Sequence, residues 1–330
     1  MTNNVVIRYL SMQRRNRVII LIILLLALIA AIVSAVAGLK TIFANQYIVK
    51  EAILSIRITR VISALLCGVL LSVSGVIMQT LLKNPLASPY TLGISNAAAF
   101  GAALSILFFG GISIPGVTFV SAFVVSLVGL AIILLISSLK GGGVESVIMA
   151  GVVINSLFSS GIALLQYIAD SAQLASILFW TFGDLGRGEW NTLFALLAVT
   201  VVATLFFYSK RWDYKALEVS DEYARSVGVA PIRCRLTALV IASLITAFTV
   251  SIFGVIAFVG LAVPHIMRRV VGGNLNYLLP SSMFFGALFM VICDMVSRYL
   301  LSPLLLPIGI ITSLVGVPVF LIILCNFYRR

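Results

Sequence analysis

The chain has 330 residues, of which 62% are hydrophobic and only 10% charged, with a net charge of +12 and a mean hydropathy of +1.19. A soluble domain carries about a quarter charged residues, so this composition excludes a water-soluble globular protein. The apolar runs are also too long for a β-barrel, whose strands alternate and cross in about 10 residues. The fold class predicted is all-α: a polytopic membrane protein with about ten transmembrane helices in one bundle.

The N-terminus reads RYLSMQRRNR and then runs apolar for about twenty residues. A cleaved signal peptide has a shorter apolar core and a small-residue cleavage site, so this is read as a retained first span. In chain order the candidate spans are 18–39, 61–82, 91–109, 117–138, 145–168, 191–208, 236–252, 254–271, 281–297 and 307–327. The pair within 236–271 is one apolar run whose only internal break is Gly254.

The basic residues fall between these runs, which is a topology signal rather than a nucleic-acid patch. With the N-terminus in the cytoplasm, sixteen of the 22 Lys and Arg lie inside, among them Arg8, Arg329 and Arg330. Both termini are therefore expected in the cytoplasm, with Lys40, Lys50, Arg57, Arg60, Arg187 and Arg298 outside. Arg57 and Arg60 stand three apart at the start of the second span, so a helix puts them on one face. Arg298 closes the ninth span, four residues after Asp294. Three readings stay open for these arginines: snorkelling at the interface, a local ion pair with Asp294, or an external basic surface that docks an acidic partner.

Small residues recur at packing distance, as Gly68 with Ser72 and as Gly93, Ala97 and Gly101, which lets helices approach closely in lipid. Cys67, Cys234, Cys293 and Cys325 form no C-x-x-C pair and read as free thiols, small core residues in the case of Cys67 and Cys293. The lone histidine, His265, follows Pro264 and is expected to be structural, at a helix kink or end. No metal site, catalytic site or bound cofactor is expected, since the residues such chemistry needs do not cluster. There is no G-x-x-x-x-G-K-[ST], and Asp294 is the one ionisable residue well inside an apolar run. The chain has a transporter's size and no visible energy source of its own.

One segment stands apart: KALEVSDEYARSVGVAPIRCR, residues 215–235. The spacing predicts a short amphipathic helix over 217–227, with Leu217, Val219, Tyr223 and Val227 on its apolar side. Ser220 can cap a helical start before Asp221 and Glu222, Gly228 is a natural stop, and Pro231 can open a second short helix. A charged helix–Gly–helix unit on the cytoplasmic side suits docking into a groove of a soluble protein.

Four ordered stretches carry a resemblance: RITRVISALLCGVLLSVSGVIMQTLLKNPLASPYTLGISNAAAFG (57–101), LEVSDEYARSVGV (217–229), GVIAFVGLAVPHIMRRVVG (254–272) and DMVSRYLLSPLLLPIGIITSLVGVPVF (294–320). The chain resembles the permease subunit of binding-protein-dependent, type II ABC importers for vitamin B12, haem and iron-siderophores. The resemblance implies a single permease domain over 1–330, with residues 209–235 as a cytoplasmic coupling loop between the sixth and seventh spans. It implies ATPase coupling through Leu217, Val219, Asp221, Glu222, Tyr223, Arg225 and Gly228. It implies docking of the binding protein at Arg57, Arg60 and Arg298, and a cytoplasmic gate at Asn84 and Leu86 with a second element at Gly143 and Val144. The implied partners are a second permease, identical or paralogous, two ABC ATPases that hold ATP and Mg, and an extracytoplasmic binding protein; nucleic acid is not among them. The implied location is the prokaryotic inner membrane, and the pore runs along the dimer axis, lined partly by the fifth and tenth spans.

Where the family commonly has Ser, FWTFGDLGRGEW (179–190) carries Asp184. Iron-siderophore is the expected cargo, with haem, vitamin B12 and molybdate as alternatives. From another class, a gradient-driven secondary transporter would work without partners. An intramembrane enzyme would need polar residues clustered at one depth, and the sequence shows none.

Overall fold

The structure is a computed structural model that describes the backbone of residues 2–36, 47–110, 115–141, 143–302 and 304–325. Lys40, Arg329 and Arg330 lie outside the described residues, as do the ends of the first and last candidate spans and the side chains of Arg8, Lys50 and Cys325. Among the described residues the chain is all-helical. The helices are α1 (Thr2–Val36), α2 (Tyr47–Leu81), α3 (Ile94–Phe108), α4 (Pro115–Leu139), α5 (Val144–Ile168), α6 (Ser171–Phe182), α7 (Trp190–Ser209), α8 (Arg211–Val219), α9 (Asp221–Ser226), α10 (Pro231–Phe253), α11 (Val259–Val271), α12 (Leu275–Tyr299) and α13 (Ile308–Cys325). A 3-10 turn, Leu185–Arg187, joins α6 to α7.

Seven of these helices are long and apolar enough to cross a membrane: α1, α2, α4, α5, α7, α10 and α12. The candidate spans at 91–109 and 307–327 contain the shorter apolar helices α3 and α13. Three readings are corrected. Helix α6 went unforeseen; Asp170 caps it by accepting from the Ala172 and Gln173 amides, with Gln173 reaching back to the Asp170 amide, a capping box. The expected single helix at 217–227 is two helices, because Ser220 adopts an extended backbone between them. Pro231 opens the long helix α10 rather than a second short one.

Helix α2 is the hub, packing against α12, α10, α11, α7 and α1. Small residues set its crossings, as the sequence suggests. A Cβ at Gly68 would lie 2.2 Å from the Gly286 carbonyl oxygen, and one at Gly75 would lie 1.9 Å from that of Gly260. In lipid, where apolar surface gains nothing by leaving the solvent, such close backbone contact is a main source of helix affinity. Gly75→Ala is expected to push α11 off α2 and lower stability by about 3 kcal/mol, the upper end for overpacking because the obstacle is backbone. Thermal unfolding in mild detergent checks this, and a melting temperature equal to wild type would contradict the crossing.

Pro264 lies inside α11 and has no N–H for the carbonyl of Gly260 one turn back. Gln79 of α2 fills the gap, donating to the carbonyls of Gly260 (3.4 Å) and Leu261 (3.0 Å). The break foreseen at Gly254 is real: its φ is +80, and a Cβ there would lie 2.3 Å from the Trp180 carbonyl oxygen. The chain runs non-helically over 254–258 before α11 resumes.

Candidate functional site

The charged loop folds as a fastened unit. Helix α8 follows α7 directly and buries Tyr214, Ala216 and Leu217. The Ser220 hydroxyl accepts from the Tyr223 amide (3.0 Å) and starts α9, which buries Ala224. Gly228, at φ +84, closes it by donating to Arg225 O. Three arginines bolt the pair to the bundle. Arg235 of α10 reaches Asp221 at 2.7 Å, and Arg268 of α11 reaches Glu218 at 3.2 Å and Thr80 of α2 at 3.1 Å. Arg211 of α8 donates to Asn276 of α12 at 2.8 Å.

The opposite face is bare. Val219 is 65% exposed and Tyr223 49%, with Val227, Glu222 and Arg225 beside them. Its own backbone amide and the Ser220 hydroxyl hold the Glu222 carboxyl below its ordinary range. Leu217, expected on the apolar docking side, instead anchors the unit from within.

The two turns at which the resemblance implies a gate both lie at this end of the bundle, since α2 ends and α5 begins there. Asn84 Oδ1 accepts from the Leu86 amide (2.9 Å), tightening the turn and leaving Leu86 exposed. Gly143 caps α5, whose first residue is Val144, and its carbonyl accepts from the Ser146 hydroxyl (2.7 Å).

At the far end, before the start of α7, Arg60, Asp184, Asp294 and Arg298 form a charge network that contains the local ion pair, one of the three open readings. Asp294 is fully buried. Arg60 Nε donates to its Oδ1 at 2.6 Å, and Arg298 approaches its Oδ2 at 2.9 Å as an ion pair rather than an aligned hydrogen bond. Arg60 Nη1 also bonds Asp184, at 3.0 Å, whose side chain is 48% exposed. Arg298 reaches the hydroxyl of Ser34 on α1. The local pair Asp294–Arg298 was legible; its extension to Arg60 and Asp184 was not. Arg60 is buried and turns inward, so it does not stand on an open surface as the docking reading assumed; Arg57 is half-buried one turn earlier.

Between the two ends, Asn96 of α3 donates to Asn155 (2.8 Å) and to Ser159 (2.8 Å) of α5. Ser156 and Ser160 are exposed on the same side of α5. This is the polar cluster the sequence reading missed; its members sit 59 and 63 residues apart, beyond any spacing rule. It holds amides and hydroxyls and no titratable group, so it offers hydrogen bonds rather than acid–base chemistry. His265 packs against Phe320 of α13, with ring centroids 5.3 Å apart and the planes tilted by 59°, and neither ring nitrogen has a hydrogen-bond partner. It lies mid-helix, directly after the Pro264 irregularity.

Seven helices long and apolar enough to cross a membrane, with a charged unit fastened at one end, describe a multi-pass membrane protein. The chain belongs to the FecCD transport family, which it matches over residues 16–326. It is 44% identical over 286 residues to an ABC transporter permease of Methanocaldococcus jannaschii assigned by inference, covering 84% of this chain and 82% of that one. It is 35% identical over 273 residues to the hemin transport system permease protein HmuU of Yersinia pestis, covering 81% of each. Relatives named for molybdate import in Haemophilus influenzae and vitamin B12 import in Vibrio vulnificus are 33% and 29% identical, each covering 82% or more of both chains. A solved inward-facing conformation of a metal-chelate type ABC transporter, its assignment also inferred, superimposes with a TM-score of 0.85 at 31% identity, over 93% of this chain and 99% of that one. The chain is thus a permease of the type II ABC importer family.

Proposed function

We propose that this chain is the membrane half of an ATP-driven importer of a metal chelate, with an iron-siderophore as cargo. Ten spans, both termini in the cytoplasm and a prokaryotic inner membrane complete the reading. The observation that carries it is the α8–α9 unit: fastened to α10, α11 and α12 on one face, it displays Val219, Glu222, Tyr223 and Arg225 on the other. A cytoplasmic ATPase seated there moves the bundle with it. ATP and Mg reside on that partner, of which there are two, one for each permease of a dimer.

The rest follows in order. A loaded binding protein docks at the far end through Arg57, Arg60 and Arg298. Because Asp184 and Asp294 already hold two of these arginines, the partner's carboxylates compete for them, and Asp184 is the carboxylate they meet first. Cargo passes along α5, where Asn155, Ser156, Ser159 and Ser160 supply hydrogen bonds without fixed charge, a wall suited to a chelate whose metal charge is already neutralised. The turns at Asn84–Leu86 and Gly143–Val144 close the inner end. Hemin, molybdate and vitamin B12, named for relatives, are the other cargoes such a wall admits.

The test is a mild-detergent pull-down of the tagged chain from its native membrane, comparing wild type with a Glu222→Arg, Tyr223→Ala, Arg225→Glu variant. An ABC ATPase is expected with wild type and is lost with the variant; the metal carried by any co-purifying binding protein identifies the cargo. Retention of transport in vesicles holding this chain alone would favour a gradient-driven transporter instead.

A further inference from the structure

A cavity of about 690 Å³ opens between α3, α4, α6 and α7 at the end of the bundle away from α8–α9. Arg187 and Ser251 line it. The Ser251 side chain comes from α10, the residue is 3% exposed, and its hydroxyl has no hydrogen-bond partner. Arg187 spends one amino group on the Phe179 carbonyl (3.1 Å) and lays its guanidinium 5.7 Å from the centre of the Trp180 ring. Its other amino group is buried without a partner, and among the described residues no carboxylate lies within ion-pair distance of it. Glu189 also lines the cavity, but as an exposed residue at its rim.

A buried guanidinium remains charged, and leaving its donors unpaired is costly. Two buried donors without partners, on residues that line one cavity, leave room for an acceptor from outside the chain. The shape says what kind. The cavity shares Gly116 with an apolar furrow along α4, lined by Val117, Val120, Val124 and Phe109. Gly116, Val120 and Val124 recur at every fourth residue, so the furrow follows the helix for about 12 Å. A Cβ added at Gly116 would meet nothing within 4 Å, which leaves the passage between chamber and furrow open. A charged chamber leading into an apolar furrow is the complement of an amphiphile.

We propose that this is a phospholipid site: the phosphodiester sits at Arg187 and Ser251, and an acyl chain lies in the α4 furrow. The apolar furrow argues against a free soluble anion, which would leave it empty. The proposal does not depend on the transport reading or on the cargo.

The experiment measures retained lipid on the purified full chain by native mass spectrometry after delipidation. The probes are phosphatidylglycerol, diacylglycerol with the same chains, and inorganic phosphate as competitor. Phosphatidylglycerol is expected to be held about tenfold more tightly than diacylglycerol, the effect of one charge-assisted hydrogen bond. Arg187→Gln should erase that difference. Gly116→Leu, which enters open space and leaves the charges alone, should weaken both lipids without moving the melting temperature. Equal retention of the two lipids by wild type, or unchanged binding in Gly116→Leu, overturns the proposal. Displacement by inorganic phosphate at the same concentration as phosphatidylglycerol also overturns it, assigning the chamber to a soluble anion.

Discussion

Asp294→Ala is expected to cost the protein about 3–5 kcal/mol, a large fraction of a typical folding stability. The carboxylate is fully buried, and two guanidinium groups converge on it from α2 and from its own helix. Removing it leaves Arg60 and Arg298 as like charges inside the bundle, with Ser34 and the half-exposed Asp184 as their remaining partners. The loss is the cost of stranded charge, not the net worth of the pair. Asp184→Ser supplies the contrast. That carboxylate is near half-exposed, so water screens its bond to Arg60, and its removal should cost no more than about 1 kcal/mol. Thermal unfolding of both variants in the same detergent decides the matter. If Asp294→Ala melts within about 2 °C of wild type, the network is not what holds α2 to α12.

Removing the loop's fasteners should have a different profile, with transport lost while the ATPase still binds. Glu218 and Arg268 are each about one-third exposed, so that pair contributes about 1 kcal/mol or less, whereas Arg235 is buried and losing Asp221 strands its charge at a cost of about 3 kcal/mol. The other effect of the two pairs is mechanical. They tie α9 to α10 and α8 to α11, which under the proposed function are routes for a displacement of the α8–α9 unit into the spans. In the double variant Glu218→Ala, Asp221→Ala, the ATPase should still co-purify, because Val219, Tyr223 and Arg225 are untouched. ATP-dependent uptake in proteoliposomes should fall at least about tenfold, the effect of about 1.4 kcal/mol lost from the coupling. Undiminished uptake would mean that the stroke reaches the spans by another route, such as the Arg211–Asn276 bond or the buried face of α8.

The sequence by itself determined the membrane class, the position of each long apolar helix, the break at Gly254 and the separate character of 215–235. These are matters of composition and local spacing, which lipid makes decisive because every backbone group must bond within its own helix. It also carried the tight crossings at Gly68 and Ser72, since small residues four apart mark one helix face. The local pair Asp294–Arg298 was legible for the same reason: its members lie one turn apart.

Only the tertiary structure decided which way the arginines turn. Arg60 reads as an outward charge at the mouth of a span, and 234 residues separate it from the carboxylate that draws it inward. Helix α6 had a local signal, the Asp170–Gln173 capping box, but stretches of twelve apolar residues are too short to declare themselves spans. The Asn96–Asn155–Ser159 seam, the Gln79 bond that mends α11, and the chamber at Arg187 and Ser251 each join helices distant in sequence. Local pattern settles what each helix is, because its hydrogen bonds close within four residues. Which polar side chains meet between helices depends on their rotation and depth against one another, and packing alone sets those.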